Sequence, residues 1–108
     1  MKLYFKSWLL RFFPDNIDAF TFGHRVFVRA DTISRKMQLH ELCHVCQYRK
    51  HGIWKFLWIY FVRERRLEYR DKSFEVEAYS CLTPVDLEIL YPDDVTFIRS
   101  AVRKVYGY

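Results

Sequence analysis

The residues most suited to chemistry form the sequence HELCH, which runs from His40 to His44. In a helix, side chains four residues apart differ by only about 40° around the axis, so both imidazoles can reach one cation. Glu41 directly follows the first histidine, and from there its carboxylate can take a proton from a metal-activated water without being a ligand itself. This HExxH pattern predicts a zinc hydrolase with His40 and His44 as metal ligands and Glu41 as general base.

A catalytic zinc ion needs a third protein ligand and leaves one coordination position for water. Glu75 and Glu77 are the candidates, because both lie in a later segment with a helical pattern. Two residues apart on a helix, their side chains point about 160° away from each other, so only one of them can face the metal. Spacing alone leaves the choice between them open.

The element that must position the two histidines is a helix. No glycine or proline interrupts the chain from about Thr32 or Ser34 to Arg49, the apolar positions repeat helically, and Gly52 is placed as a stop signal. Before this helix, residues 19–30 alternate around the pair Gly23-His24, which is typical of a β-hairpin. We therefore predict an α+β fold, mostly helical and zincin-like, with a small β-hairpin packed beside the HExxH helix.

Other helical patterns surround these two elements. We expect an amphipathic helix over residues 2–13 that ends before Pro14, and a helix from about Ile53 to Arg66 that is buried and then emerges into solvent. Three further helices are predicted, one capped by Ser73, one over Val85 to Leu90, and one opened by Pro92-Asp93.

Length and composition limit the class of protein. The 108 residues fit one domain, 1–108, and 51% hydrophobic with 29% charged residues is a globular balance rather than a disordered one. The net charge of +5 is scattered along the chain, so we expect no nucleic-acid partner. Ten Phe, eight Tyr and three Trp are more rings than a small interior hides, so some should line a groove or an interface.

Cysteine usage and hydropathy bear on the compartment. Cys43, Cys46 and Cys81 are an odd number without a recognisable secretory leader, which favours reduced, buried thiols and a cytoplasmic location. No apolar run approaches the roughly 20 residues that span a bilayer. The aromatic stripe from Trp54 to Phe61 suits either core packing or contact with a partner or membrane surface, and the charged cluster after it suits a solvated face.

In the order of four segments, FTFGHRVFVRA, LHELCHVCQY, HGIWKF and EYRDKSFEVEAY, the chain resembles the minimal gluzincin-like metallopeptidases, which combine HExxH with a glutamate. The likeness covers about Phe20 to Tyr79. In that family the third ligand is the first glutamate of an E-x-x-A signature on the following helix, and the similar EVEA segment here implies Glu75. The chain departs from the family at Ser73, where a proline is common, and at Tyr79, where an acidic residue is common.

The resemblance also implies a substrate and a way to bind it. The strand Arg25 to Arg29 would form the rim above the site, where an extended peptide could add by backbone pairing. The expected function is that of a zinc-dependent peptidase, in which metal-activated water attacks a peptide bond with Glu41 as general base. Tyr69, Tyr79 and His24 are chemically suited to stabilise the oxyanion, and nothing in the spacing chooses among them.

Two other functions and one regulatory feature are compatible with the same residues. The chain could be an inactive Zn²⁺-binding pseudo-peptidase that binds a peptide or protein, or a membrane-peripheral docking module. The segment after Pro92 could also fold back over the metal and block the site itself, through Asp93, Asp94 or the terminal carboxylate.

Overall fold

A small sheet precedes a set of helices in the computed structural model, which describes residues 1–13 and 17–106. Within these ranges the strands are β1 (Lys2–Tyr4), β2 (Ala19–Phe22) and β3 (Arg25–Val28). The helices are α1 (Arg35–His51), α2 (Ile53–Leu57), α3 (Ser73–Ser80), α4 (Pro84–Leu90) and α5 (Val95–Tyr106). The predicted α+β class with mostly helical content is confirmed.

The sheet has the strand order β1-β3-β2. Strands β2 and β3 form the predicted antiparallel hairpin, in which Phe22 pairs with Arg25 across a two-residue turn. Gly23 has a φ of +63° in this turn, a conformation that glycine adopts without a steric penalty. The hairpin presents the side chains of Ala19, Thr21 and Val26 to the interior, and it packs against α1.

The prediction of a helix over residues 2–13 is wrong. The chain instead forms β1, which pairs in parallel with β3, and a short 3₁₀ turn at Trp8–Phe12. Lys6 between them has a left-handed φ of 51°, and the Lys6 and Ser7 amides donate to carbonyls of the hairpin segment. A short amphipathic segment gains little from helix formation alone, so pairing with an open strand edge prevails. The predicted end at Pro14 lies outside the described residues.

Helix α1 lies at the centre of the fold. The Ser34 hydroxyl accepts from the Met37 amide at its start, and Gly52, with φ of +83°, ends it as predicted. Every residue from Leu39 to Tyr48 is buried, because the sheet, α3 and α5 surround this stretch. A central helix covered on all sides holds its polar residues away from water, so those residues must find partners inside the protein.

The remaining helices differ from the prediction mainly at their ends. Helix α2 continues into a π-helical segment, Trp58–Arg63, which stops before the expected Arg66. Ser73 begins α3 as its first residue but does not cap it, since its amide and hydroxyl both donate to Glu64. Helix α4 starts at Pro84 behind a capping box, and α5 follows a 3₁₀ turn. None of the helices in the described ranges is long and apolar enough to cross a membrane.

Candidate metal centre

Three nitrogen and oxygen atoms converge between α1 and α3. The Nε2 atoms of His40 and His44 are 3.2 Å apart, and Glu75 Oε1 lies 3.0 Å from the first and 2.7 Å from the second. All three side chains are buried, and only 1% of the surface of Glu75 is exposed. The HExxH spacing places both imidazoles on one face of α1, and the first turn of α3 supplies the carboxylate.

This group could hold a metal ion. Two imidazoles and a carboxylate are ligands typical of catalytic zinc, which binds each at about 2.0–2.2 Å and so spaces tetrahedral ligands about 3.3 Å apart. The observed separations of 3.2, 3.0 and 2.7 Å are all shorter than that spacing, the last by about 0.6 Å. Side-chain rotations that move the Glu75 carboxylate away from His44 would open the group to an ion of this size.

The hydrogen bonds of Gln47 call for a positive charge between His44 and Glu75, which either a proton or a metal ion can supply. The Gln47 amide nitrogen donates to the Phe74 carbonyl at 2.9 Å, so the amide oxygen faces His44 Nδ1 at 2.7 Å and needs a hydrogen there. A neutral His44 then presents a lone pair at Nε2 directly to the Glu75 carboxylate. Two lone pairs 2.7 Å apart repel unless a proton or a metal ion lies between them.

The pKa of His44 reflects the same conflict. Burial lowers it, but the hydrogen bond and charge of Glu75 outweigh burial and raise the pKa from 6.5 to about 9. Burial likewise disfavours the charged form of Glu75, yet the hydrogen bonds from His40 and His44 hold the pKa of that carboxyl well below its usual range. The site is therefore built around a carboxylate that requires a positive charge beside it.

A chain of polar side chains supports the ligand face from behind. Gln47 contacts His44 on one side and donates to Glu77 Oε1 at 3.3 Å on the other, and the Tyr91 hydroxyl donates to the same oxygen of Glu77. Glu77 thus faces α1 through Gln47 rather than the convergent atoms. Sequence reasoning missed Gln47, although its position three residues after His44 on the same helix signals a neighbour.

Glu41, the predicted general base, lines a small cavity together with His44 and Glu75 and is not one of the three convergent side chains. Glu41 is 2% exposed, and the Thr21 hydroxyl of strand β2 donates to its Oε2 at 2.5 Å. The Tyr48 hydroxyl in turn donates to the Thr21 carbonyl at 2.9 Å. The hairpin beside α1 therefore fixes the direction of the Glu41 carboxylate.

Three tyrosines complete the surroundings. The Tyr60 hydroxyl donates to Glu75 Oε2 at 3.1 Å, a role that the sequence did not indicate. Burial and the nearby Glu75 carboxylate raise the pKa of Tyr60 and of Tyr69, so both phenols are protonated donors at neutral pH. The Tyr79 ring packs on His40 with centroids 4.4 Å apart. His24, the other oxyanion candidate, contacts Phe97 of α5 instead.

A cleft of about 320 Å³ is lined by His40 and Glu41, whereas His44 and Glu75 are not among its lining residues. The rest of its lining comes from residues 17–19, the start of α1, and the residues around Tyr69 and Tyr79. The prediction that a peptide adds to the strand Arg25 to Arg29 is wrong, because β3 is the central strand and both its edges are already paired. Strand β2 borders the cleft, and among the described strands its outer edge has no partner.

The described part of the segment after Pro92 lies away from the cleft. Helix α5 packs on α1 and α4, and Asp94 pairs with Arg49 at 3.3 Å. The described residues that line the cleft include none from this segment, which gives self-blocking no support. The terminal carboxylate lies outside the described residues.

The three cysteines do not form a structural zinc module. Cys43, Cys46 and Cys81 are free and buried, as predicted, and the sulfurs of Cys43 and Cys81 lie 3.9 Å apart.

Comparisons of the chain with protein-family models, with curated protein sequences and with solved structures gave no match.

Proposed function

We propose that the protein is a zinc-dependent peptidase of the gluzincin-like type, with Zn²⁺ held by His40, His44 and Glu75. The observation that carries the proposal is the convergence of two imidazole nitrogens and one carboxylate oxygen, from His40, His44 and Glu75, within 3.2 Å of one another. Two imidazoles and a glutamate are one of the donor sets that catalytic zinc uses. The HExxH motif, the adjacent carboxylate of Glu41 and the open cleft add the parts that a hydrolase needs beyond the metal.

Zinc bound at this centre would supply Lewis acidity, which lowers the pKa of water and polarises a peptide carbonyl. Glu41 takes the proton from the attacking water and passes it to the departing amine, so one carboxylate acts first as base and then as acid. Thr21 holds that carboxylate in one direction through its hydroxyl hydrogen bond. Tyr69 and Tyr79 both line the cleft and are the candidate donors to a developing oxyanion there.

The outer edge of β2 is where an extended substrate would bind. Asp18 and Arg29 are bonded through their backbones, so alternation along an antiparallel pair leaves the amide and carbonyl of Ala19 directed away from β3. Ala19 also lines the cleft together with Glu41. A peptide paired with Ala19 would lie across the cleft with its backbone close to the general base.

The test is hydrolysis of an unfolded protein such as casein by zinc-loaded wild type, by Glu41→Gln and by the matched control Glu88→Gln. Glu88 lies on α4 and pairs with Arg99, away from the cleft. We expect cleavage by wild type and by Glu88→Gln, and a loss of at least about 100-fold in Glu41→Gln with metal content unchanged.

The other outcomes separate the alternative functions. Zinc-loaded wild type that binds unfolded peptides without cleaving them would indicate an inactive pseudo-peptidase. Equal activity in wild type and Glu41→Gln would show that the cleavage comes from a contaminant or from other residues, and would contradict the proposed mechanism.

A further inference from the structure

The helical segment after Gly52 has two faces of opposite character. This segment comprises α2 and its π-helical continuation, residues 53–63. Its inner face is buried against α1 and α3, and it carries Phe56, Ile59 and Tyr60. Its outer face carries large apolar side chains that remain in water, namely Trp54, Trp58, Phe61 and Val62, which we call the aromatic face. Trp54 is 84% and Trp58 55% exposed, although burial of such rings is strongly favourable.

The aromatic face continues onto the sheet. The Phe61 ring lies 6.0 Å from that of Phe20 on β2, and Phe22 on the same strand is also exposed. Next to Phe20, a cavity of about 300 Å³ is lined only by Leu and Phe side chains of the sheet and of the 3₁₀ turn before it. Exposed apolar side chains that adjoin one another, rather than lie scattered singly, are typical of contact surfaces.

The border of this face is basic. Lys55 lies within the segment, and Arg63, Arg65 and Arg66 follow at its end, all exposed. The one acidic residue among them, Glu64, accepts hydrogen bonds from the Ser73 amide and hydroxyl and pairs with Arg63. The charge that the border presents to a partner is therefore positive.

A second exposed apolar patch, at α4, differs from the aromatic face in composition. On and just before α4, Leu82, Val85 and Ile89 are exposed, but residues 82–89 contain no aromatic ring, and their charged residues are Asp86 and Glu88, the latter paired with Arg99. Apolar exposure alone thus occurs at both places. Of these two patches, the aromatic face is the one that combines tryptophans with a basic border, which is the composition of protein surfaces that lie in the headgroup region of a bilayer.

We propose that the aromatic face docks on the surface of anionic phospholipid bilayers. Trp54 and Trp58 would enter the headgroup region while Arg63, Arg65 and Arg66 bind lipid phosphates. The inference does not depend on peptidase activity. It does place the metal centre near the lipid, because Phe56 and Tyr60 on the inner face line a small cavity beside Glu41 and Glu75.

The experiment uses co-sedimentation to measure binding of the 108-residue chain to phosphatidylcholine vesicles prepared with or without phosphatidylglycerol. The variants are the pair Trp54→Ser/Trp58→Ser, the triple Arg63→Gln/Arg65→Gln/Arg66→Gln, and the control Ile89→Ser from the α4 patch. We expect binding only when phosphatidylglycerol is present. The tryptophan pair should weaken it at least about tenfold, the arginine triple on the order of 100-fold, and Ile89→Ser not at all.

Any of four results would overturn the proposal: no binding to anionic vesicles, binding unaffected by either set of substitutions, equal weakening by Ile89→Ser, or concentration-dependent dimerisation that the tryptophan pair abolishes. The last would assign the face to a second copy of the chain. Quenching of wild-type tryptophan fluorescence by brominated lipid in the anionic vesicles tests insertion without any substitution. Its absence would count equally against the proposal.

Discussion

Replacement of Gln47 tests whether the polar chain behind the histidines prepares them for a metal. Gln47 is fully buried, and its amide bridges His44 Nδ1 at 2.7 Å and the Phe74 carbonyl at 2.9 Å. Gln47→Leu keeps the approximate side-chain volume but leaves His44 Nδ1 and the Phe74 carbonyl without the amide that bonds to them. A buried polar group without a partner costs about 1–3 kcal/mol, so we expect the variant to lose on the order of 2–4 kcal/mol of unfolding free energy.

Metal affinity should fall as well, for a separate reason. Without an acceptor at Nδ1, His44 is free to take the other tautomer, which places a hydrogen on the Nε2 atom that must bind the ion. Loss of such a partner typically weakens metal binding 10–100-fold, about 1.4–2.7 kcal/mol. Gln47→Glu keeps the acceptor for His44 but loses the donor to Phe74, so it should be destabilised with metal affinity closer to that of wild type.

The assay is competition for Zn²⁺ with a chromophoric chelator, alongside urea unfolding of each variant. Gln38→Leu is the matched control, because Gln38 lies on the same helix and its side chain donates to the Ile33 carbonyl at 3.4 Å rather than to a residue of the metal centre. Wild-type zinc affinity in folded Gln47→Leu would refute the idea that this amide sets the tautomer of His44. Equal loss of affinity in Gln38→Leu would show a general effect of helix destabilisation.

Three further predictions concern the centre and its surroundings. Glu75 raises the pKa of His44 to about 9, above the 6.5 of an unperturbed histidine. In chelator-treated protein this pair should therefore stabilise the fold, and its full contribution should be present below about pH 6.5. That stability should be lost as the pH rises through about 9, and a flat urea-unfolding profile would contradict it. Thr21→Val removes the hydroxyl that orients Glu41, so peptidase activity should fall about tenfold with zinc content unchanged, as single-turnover cleavage and metal analysis can check. Burial raises the pKa of the Cys46 thiol to about 12, so iodoacetamide should fail to label it at pH 8 until the protein is unfolded, and mass spectrometry of the labelled peptide decides the point.

The parts of the fold that the sequence predicts well are those with local signals. Helix α1 follows from its unbroken apolar repeat, its Ser34 cap and its Gly52 stop, and the hairpin follows from alternation around Gly23. The start of the chain was predicted wrongly because β1 depends on pairing with β3, a contact between segments about twenty residues apart that no local pattern encodes.

In the candidate site, too, the residues with a local signal were predictable and those that depend on tertiary packing were not. His40 and His44 are recognisable because helical periodicity alone brings them together. The choice of Glu75 over Glu77 required the family resemblance, since two helix positions cannot be ranked until the packing of α3 on α1 is known. The hydrogen bonds from Thr21 to Glu41 and from Tyr60 to Glu75 join separate elements, so spacing gave no sign of them.

The aromatic stripe from Trp54 to Phe61 shows why composition alone is ambiguous. Core packing and an external contact surface were both compatible with it, and the structure contains both. Phe56 and Tyr60 are buried, while Trp54, Trp58 and Phe61 are exposed. Helical periodicity separates the two sets, but which set faces inward depends on where α1 and α3 lie.

Metal content tests the His40, His44 and Glu75 centre most directly. Protein purified without a metal-affinity tag would be analysed by inductively coupled plasma mass spectrometry for wild type, Glu75→Gln and Glu77→Gln. A metal centre with Glu75 as its third ligand predicts about one zinc per chain in wild type and in Glu77→Gln, and far less in Glu75→Gln. Folded wild type without stoichiometric metal, or equal zinc in Glu75→Gln and wild type, would contradict it.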